Sequence, residues 1–220
     1  KKLKKIGLNC TLTAMQSNGG TTSFNWAKEH PITLVESGPA AGVNGAVLVG
    51  ELCNKKNIIY FDVGGTTTKC ALIEDGKPQV TTEYKLEYTK FNPGYPIRVP
   101  VTDLVEIGAG GGSIAWFDTG GSLKVGPKSA GADPGPASYN KGGEEPTITD
   151  AKLVTGVINP QNFASGQFDL RKDLAEKAIA KIAKGLNVDL VSAASSIVRV
   201  AEANMINALK LVSIQRGYDP

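Results

Sequence analysis

A chain of 220 residues and 23.0 kDa, 41% hydrophobic and 20% charged, has the make-up of a globular protein with one sizeable core or two modest ones. Its formal charge of +3 comes from 24 basic against 21 acidic residues, and four of the basic ones sit in the opening Lys1-Lys2-Leu3-Lys4-Lys5, so nucleic-acid binding is not indicated. No run approaches the ~18 apolar residues of a membrane span, and no apolar signal region follows the basic start. Cys10, Cys53 and Cys70 are odd in number and widely spaced, which reads as reduced thiols in a cytoplasmic protein. His30 is the only histidine and precedes Pro31 in a polar stretch, so it reads as a surface loop residue. A histidine triad or a multi-histidine metal site is thereby disfavoured.

Taken in order, residues 1–16 form a basic lead-in and a short strand over 11–15, and Ser17-Asn18-Gly19-Gly20 forms a turn. After Pro31, residues 32–35 read as a strand. Glu36-Ser37-Gly38-Pro39 then opens a helix, with Ser37 as N-cap and proline in the first turn. Ala41, Gly42, Gly45, Ala46 and Val49 recur at helical spacing, a small-residue face whose close packing offsets the roughly 1 kcal/mol that each interior glycine costs.

The most informative stretch is residues 57–73, where an apolar run ends in Asp62, breaks on Gly64-Gly65-Thr66-Thr67-Thr68 and resumes as a second apolar run. That pattern predicts a hairpin of two buried strands. Glycines let backbone N–H groups converge on an anion, threonine hydroxyls add donors, and an aspartate at a strand end can hold Mg²⁺. A tight turn whose glycines supply only conformational freedom is the plain alternative. Walker and Rossmann chemistry do not fit, because no Gly-x-x-x-x-Gly-Lys-Ser/Thr is present and a strand follows the glycines.

Residues 79–86 read as a third strand, completing an antiparallel meander. A proline-rich connection over 91–100 leads to the short apolar segment 105–107 and the run Gly108-Ala109-Gly110-Gly111-Gly112-Ser113. From there to Gly143 lie eleven of the 26 glycines, a density expected of a functional or mobile loop region. The Gly108–Ser113 run reads either as a lining of the phosphate cleft or as a packed hairpin turn. The last third is helical: a short helix over 150–157, one over 171–184 with Asp169 as cap and Gly185 as stop, and a long one over 190–215. Leu190, Ala194, Ile197, Val198, Ala201, Met205, Ala208, Leu209 and Val212 mark the buried face of the long helix, and Gly217 supplies a C-terminal cap.

Several of these segments together resemble the hydantoinase A/5-oxoprolinase family of the actin, Hsp70 and sugar-kinase superfamily. They include Gln16-Ser17-Asn18-Gly19-Gly20, Glu36-Ser37-Gly38-Pro39-Ala40-Ala41-Gly42-Val43, Asp62-Val63-Gly64-Gly65-Thr66-Thr67-Thr68 and Ile107-Gly108-Ala109-Gly110-Gly111-Gly112-Ser113-Ile114. Further on, 125–137, Pro146-Thr147-Ile148-Thr149-Asp150-Ala151 and 215–220 follow in the family order. The resemblance implies an α/β fold of the actin-like ATPase (ribonuclease H-like) type, with an antiparallel β-meander, flanking helices and a Gly-rich insertion. Its parts are lead-in strands over 1–35, a phosphate-hairpin core over 36–106, a Gly-rich region over 107–149 and a helical part over 150–220. Lys69 is a departure, standing where the family usually has an acidic residue.

The resemblance further implies ATP and Mg²⁺ as cofactors and ring opening of cyclic amides or imides such as hydantoins or 5-oxoproline. Phosphorylation of the amide oxygen would make the ring carbon open to water. Asp62 is then the catalytic, metal-holding residue. Gly64, Gly65, Thr66, Thr67, Thr68, Gly110, Gly111, Gly112 and Ser113 are the candidate nucleotide contacts. A hydantoinase B-type subunit is the implied partner. The family's first phosphate loop and its base-binding glycine segment are not found within residues 1–220, so this chain by itself is expected to turn over no substrate. Two other readings stay open: a subunit of an ATP-dependent ketone carboxylase, and a non-catalytic actin-like assembly domain.

Overall fold

The computed structural model describes residues 2–87, 92–166 and 169–219. Phe91, where the proline-rich connection begins, and Pro220 lie outside the described residues. The chain divides into two compact units, Lys1–Tyr60 with Ala71–Leu104, and Phe61–Cys70 with Val105–Pro220.

The first unit opens with a single turn, α1 (Lys2–Lys5), and a small hairpin in which β1 (Thr13–Met15) pairs antiparallel with β2 (Thr21–Ser23). Its turn is tied to the rest of the unit. Ser17 is buried and donates to Thr33 O, and Asn44 donates to Gly19 O at 2.6 Å. The helix α2 (Phe24–Glu29) starts where Ser23 Oγ accepts from Trp26 N. Residues 32–35 are not the expected strand: Pro31–Leu34 forms a 3-10 turn, with Pro31 at its first positions and Thr33 N and Oγ1 both donating to His30 O. Proline fixes φ and the threonine hydroxyl closes a local turn, so no extended pairing develops.

The helix α3 (Ser37–Leu52) begins at Glu36, which adopts a left-handed conformation and makes no side-chain cap, so Ser37 is the first helical residue and not the cap. Its core side carries Val43, Ala46 and Val47, packed with Ile58, Tyr60, Ala71, Ile73 and Leu104. Close approach is enforced at two glycines. A Cβ on Gly42 would run into the Tyr60 ring, and one on Gly50 into Ile58 and, at 2.6 Å, into Lys55 O. The small-residue face is therefore built on 42, 43, 46, 47 and 50, while Val49 is exposed and Gly45 opens onto free space.

The hairpin forms as β3 (Ile58–Val63) and β4 (Thr68–Glu74), but only β4 is buried as expected: β3 is half-buried over Ile58–Tyr60 and exposed over Phe61–Val63. The third strand expected over 79–86 does not form beside β4. Residues 79–86 split: after β5 (Lys77–Pro78), which pairs with the end of β4, come β6 (Val80–Thr81) and β7 (Lys85–Leu86). These pair with β9 (Val101–Thr102) and β8 (Tyr95–Pro96), respectively, in separate two-stranded sheets. Thr81 Oγ1 accepts from Glu83 N, a local turn that ends β6 after two residues. The place beside β4 is taken instead by β10 (Val105–Ile107), giving the order β10-β4-β3.

In the second unit the glycine-dense region is not one loop: it contains an antiparallel hairpin, β11 (Ser113–Phe117) with β12 (Leu123–Ser129). Three helices pack with it: α4 (Ile148–Val154), α5 (Lys172–Leu186) and α6 (Leu190–Val212), around a core that includes Leu153, Ile179, Ile182, Ala194, Ile197 and Ala201. The capping signals differ from expectation in detail. Asp189 caps α6 by accepting from Ser192 N, Arg171 replaces Asp169 at the start of α5, and Gly185 is inside α5, where a Cβ would meet Phe117 Cζ at 2.7 Å. The long helix stops at Val212, and a 3-10 turn over Ile214–Arg216 ends at Gly217 with φ +87°. Among the described residues, no helix is long and apolar enough to cross a membrane.

Candidate functional site

The Gly64–Thr67 turn joins β3 to β4 and is closed by Gly64 N donating to Thr67 O at 2.9 Å. Asp62, Gly64, Gly65 and Thr66 are exposed, and Thr67 is half-buried. Because β10 pairs with β4 in the register Ile107↔Thr68, the residues that follow β10 are delivered directly onto this turn. Gly111 N donates to Gly64 O at 2.9 Å and Gly112 N to Gly65 O at 2.6 Å. The two glycine runs, separated by more than forty positions, thus lie backbone against backbone.

The fit leaves no room for side chains. A Cβ on Gly110 would fall 2.7 Å from Gly64 O and 2.8 Å from the carbonyl carbons of Gly65 and Thr66. Thr68 is fully buried and its hydroxyl donates to Ala109 O at 2.5 Å, while the buried Ser113 Oγ accepts from Gly110 N at 2.9 Å. The expectation that these two hydroxyls face a ligand therefore gives way: both hold the Gly-rich segment in shape. Gly110 and Gly112 are buried too, and Gly111 is half-buried.

Two residues that the sequence does not single out as site residues complete the arrangement. Ser129, at the end of β12, places its hydroxyl 3.4 Å from Thr66 Oγ1, and the next residue, Ala130, donates its N–H to Gly112 O at 2.8 Å. Thr149 donates to Gly111 O twice, from N at 2.8 Å and from Oγ1 at 2.9 Å. Its place in α4 is fixed by a buried network in which the Asp150 carboxylate accepts from Thr147 N, Thr147 Oγ1, Ala137 N and Ser138 N. Both residues belong to motifs quoted above, but neither shows its role without the tertiary contacts.

Electrostatics near the turn is simple. Lys69, opposite Glu106 across β4 and β10, pairs with its carboxylate at 3.6 Å. Burial pushes the Cys70 thiol up to about 11, so it stays protonated at neutral pH. No group of three or more His, Cys, Asp or Glu able to hold a metal occurs among the described residues. Asp62 is the carboxylate nearest the turn in sequence. A single carboxylate suits Mg²⁺ where phosphate oxygens and water fill the other positions, and exposed backbone donors suit the phosphate.

A family model described as hydantoinase/oxoprolinase matches residues 1–220, and the chain belongs to that family. It is 45% identical over 224 residues to the protein MJ0964 of Methanocaldococcus jannaschii, covering 99% of this chain and 33% of that protein. It is also 36% identical over 218 residues to caprolactamase subunit alpha of Pseudomonas jessenii, covering 99% of this chain and 30% of the relative. Among solved structures, nucleotide-free acetone carboxylase, from work on ATP-dependent acetone carboxylation, superposes with a TM-score of 0.84 at 30% identity, covering all of this chain and 30% of that one. The chain thus spans about a third of the relatives' length. The mixed α/β fold with antiparallel sheets is shared with these structures. The family holds proteins named 5-oxoprolinase and caprolactamase and also subunits of acetone and acetophenone carboxylases.

Proposed function

We propose that this chain is the phosphate-gripping part of an actin-like, ATP-dependent enzyme that opens cyclic amides or imides, such as hydantoins or 5-oxoproline. The observation that carries the reading is the Gly64–Thr67 turn, exposed on one side and backed by Gly111 and Gly112 through two backbone hydrogen bonds. Each peptide group is planar and trans, so its N–H and C=O point in opposite directions. With Gly64 O and Gly65 O turned toward Gly111 and Gly112, the N–H groups of Gly65 and Thr66 face the other way. Paired N–H groups in a glycine turn are a natural cradle for phosphate oxygens.

In this reading the N–H groups of Gly65 and Thr66 and the hydroxyls of Thr66 and Thr67 bind the nucleotide's phosphates, and Asp62 holds Mg²⁺. Bound ATP supplies the phosphoryl group that activates the amide oxygen of the ring. The chain's own residues orient and neutralise that group; a fixed donor set aimed at developing charge lowers the barrier without reorganisation. A partner subunit of the hydantoinase B type completes the enzyme, a reading supported by relatives that are themselves named as subunits.

The likeness to acetone carboxylase supports a second reading, in which the same phosphate grip serves activation of a ketone or bicarbonate. One assay separates the two. The full-length parent and its partner are given Mg-ATP with hydantoin, 5-oxoproline and caprolactam in one series, and with acetone and bicarbonate in the other. The proposal expects ADP release coupled to ring-opened product in the first series. Product only in the second overturns it in favour of the carboxylase.

A further inference from the structure

We propose that Thr149 is a positioning residue for the Gly64–Thr67 turn, and that Gly110–Gly112 acts as a template that sets the direction of the turn's N–H groups without itself touching phosphate. The proposal rests on the phosphate reading above. It goes beyond that reading by naming what holds the cradle open.

The contacts form an unbroken line. Asp150 gathers four donors and fixes the start of α4; Thr149, 7% exposed, clamps Gly111 O with two donors; Gly111 N and Gly112 N in turn hold Gly64 O and Gly65 O. A glycine turn has wide conformational freedom, and an unheld Gly64-Gly65 pair would exchange between peptide orientations. Only one of those orientations presents the Gly65 and Thr66 N–H groups to the open side. The template selects it, and its own glycines are needed for approach, since added Cβ atoms at 110 and 112 would lie 2.7 Å and 3.0 Å from the carbonyl oxygens of Gly64 and Gly65. Burial of Gly110 and Gly112 and the backbone hydrogen bonds of Gly111 and Gly112 toward the turn are what a template requires and a direct ligand contact does not.

The test uses ¹⁵N-labelled chain and three versions of position 149. Thr149→Val keeps the shape and the backbone donor but loses the hydroxyl donor; Thr149→Ser keeps both donors; Thr149→Ala serves in place of valine if the branched side chain disturbs folding. Amide resonances of Gly64, Gly65, Thr66, Gly111 and Gly112 are recorded, and then Mg-ATP and, separately, inorganic phosphate are titrated in. The expected result is that T149V moves the resonances of the turn and raises the Kd for Mg-ATP about three- to tenfold, while T149S restores both. A purely structural role would lower thermal stability in both variants without separating them in Kd. Turn resonances and Kd at wild-type values in T149V, or T149S behaving as T149V, would overturn the proposal. If the unmodified chain binds neither ligand, the phosphate reading fails. The displacement of the Gly65 and Thr66 resonances in T149V still decides the positioning role.

Discussion

Lys69 and Glu106 face each other in register across β4 and β10, the ammonium 3.6 Å from the carboxylate, next to the Ile107↔Thr68 pair from which the chain runs on to Gly110–Gly112 at the turn. The lysine is therefore matched by an acid on the neighbouring strand. Side chains alternate along a strand, so Lys69 points to the opposite face from Thr68, whose hydroxyl holds Ala109 O. Its ammonium pairs with the Glu106 carboxylate on β10. Lys69→Glu sets like charges opposite each other and should destabilise by about 1 kcal/mol, with Glu106→Lys in the same chain recovering most of the loss. Thermal unfolding of the two single variants and the double variant reads the coupling; additive losses would show that the pair does not interact.

Gly110→Ala should be far more damaging than its single methyl suggests. The added carbon meets the backbone of three consecutive turn residues, at 2.7 Å from Gly64 O and 2.8 Å from the carbonyl carbons of Gly65 and Thr66, and backbone cannot rotate away as a side chain can. Overpacking of this kind costs about 1–3 kcal/mol, and here it falls on the turn itself. The expected outcome is displaced amide resonances at Gly64–Thr67 and weaker Mg-ATP binding than Thr149→Val gives. Wild-type spectra in G110A would show that the two glycine runs are not in contact.

Asp150→Ala removes an acceptor that serves four donors in a fully buried place. Leaving several buried N–H groups unpaired should cost about 3 kcal/mol or more, measured by denaturant unfolding. An effect below about 1 kcal/mol would mean that water reaches the network.

Cys70 gives a pH dependence with a defined sign. Its ordinary value is 9.0 and burial raises it to about 11 in the folded chain, so the folded state binds the proton more tightly than the unfolded one. The contribution to stability is complete below pH 9.0 and is lost as pH rises toward about 11. Urea midpoints across that window should fall more steeply in the wild type than in Cys70→Ala. At neutral pH a thiol reagent should label the exposed Cys10 and Cys53 and spare Cys70.

Much of this was legible in the residues, and what was not has identifiable causes. The β3–β4 hairpin could be read because a β-branched run, an aspartate and two glycines are local signals. So could the long helix, whose buried Ala194, Ile197, Ala201, Ala208 and Val212 keep a helical period. The strand expected at 32–35 failed because Pro31 and the Thr33 hydroxyl favour a local turn over pairing. The strand at 79–86 failed because Thr81 closes a turn on Glu83 N. That Gly110–Gly112 would back the turn at Gly64 could not be read, since the β4–β10 register that brings them together is a tertiary choice. Thr149 was hidden for the same reason: within Pro146-Thr147-Ile148-Thr149-Asp150 the sequence shows a helix start, and only the fold shows whose carbonyl it clamps.

The most direct test of the phosphate cradle is a Mg-ATP titration of the ¹⁵N-labelled chain, followed at the Gly65 and Thr66 amides. Saturable shifts are expected at both, reproduced in part by inorganic phosphate and reached only at higher nucleotide concentration in Gly110→Ala. Gly65 and Thr66 amides that stay in place while nucleotide is in large excess would contradict it.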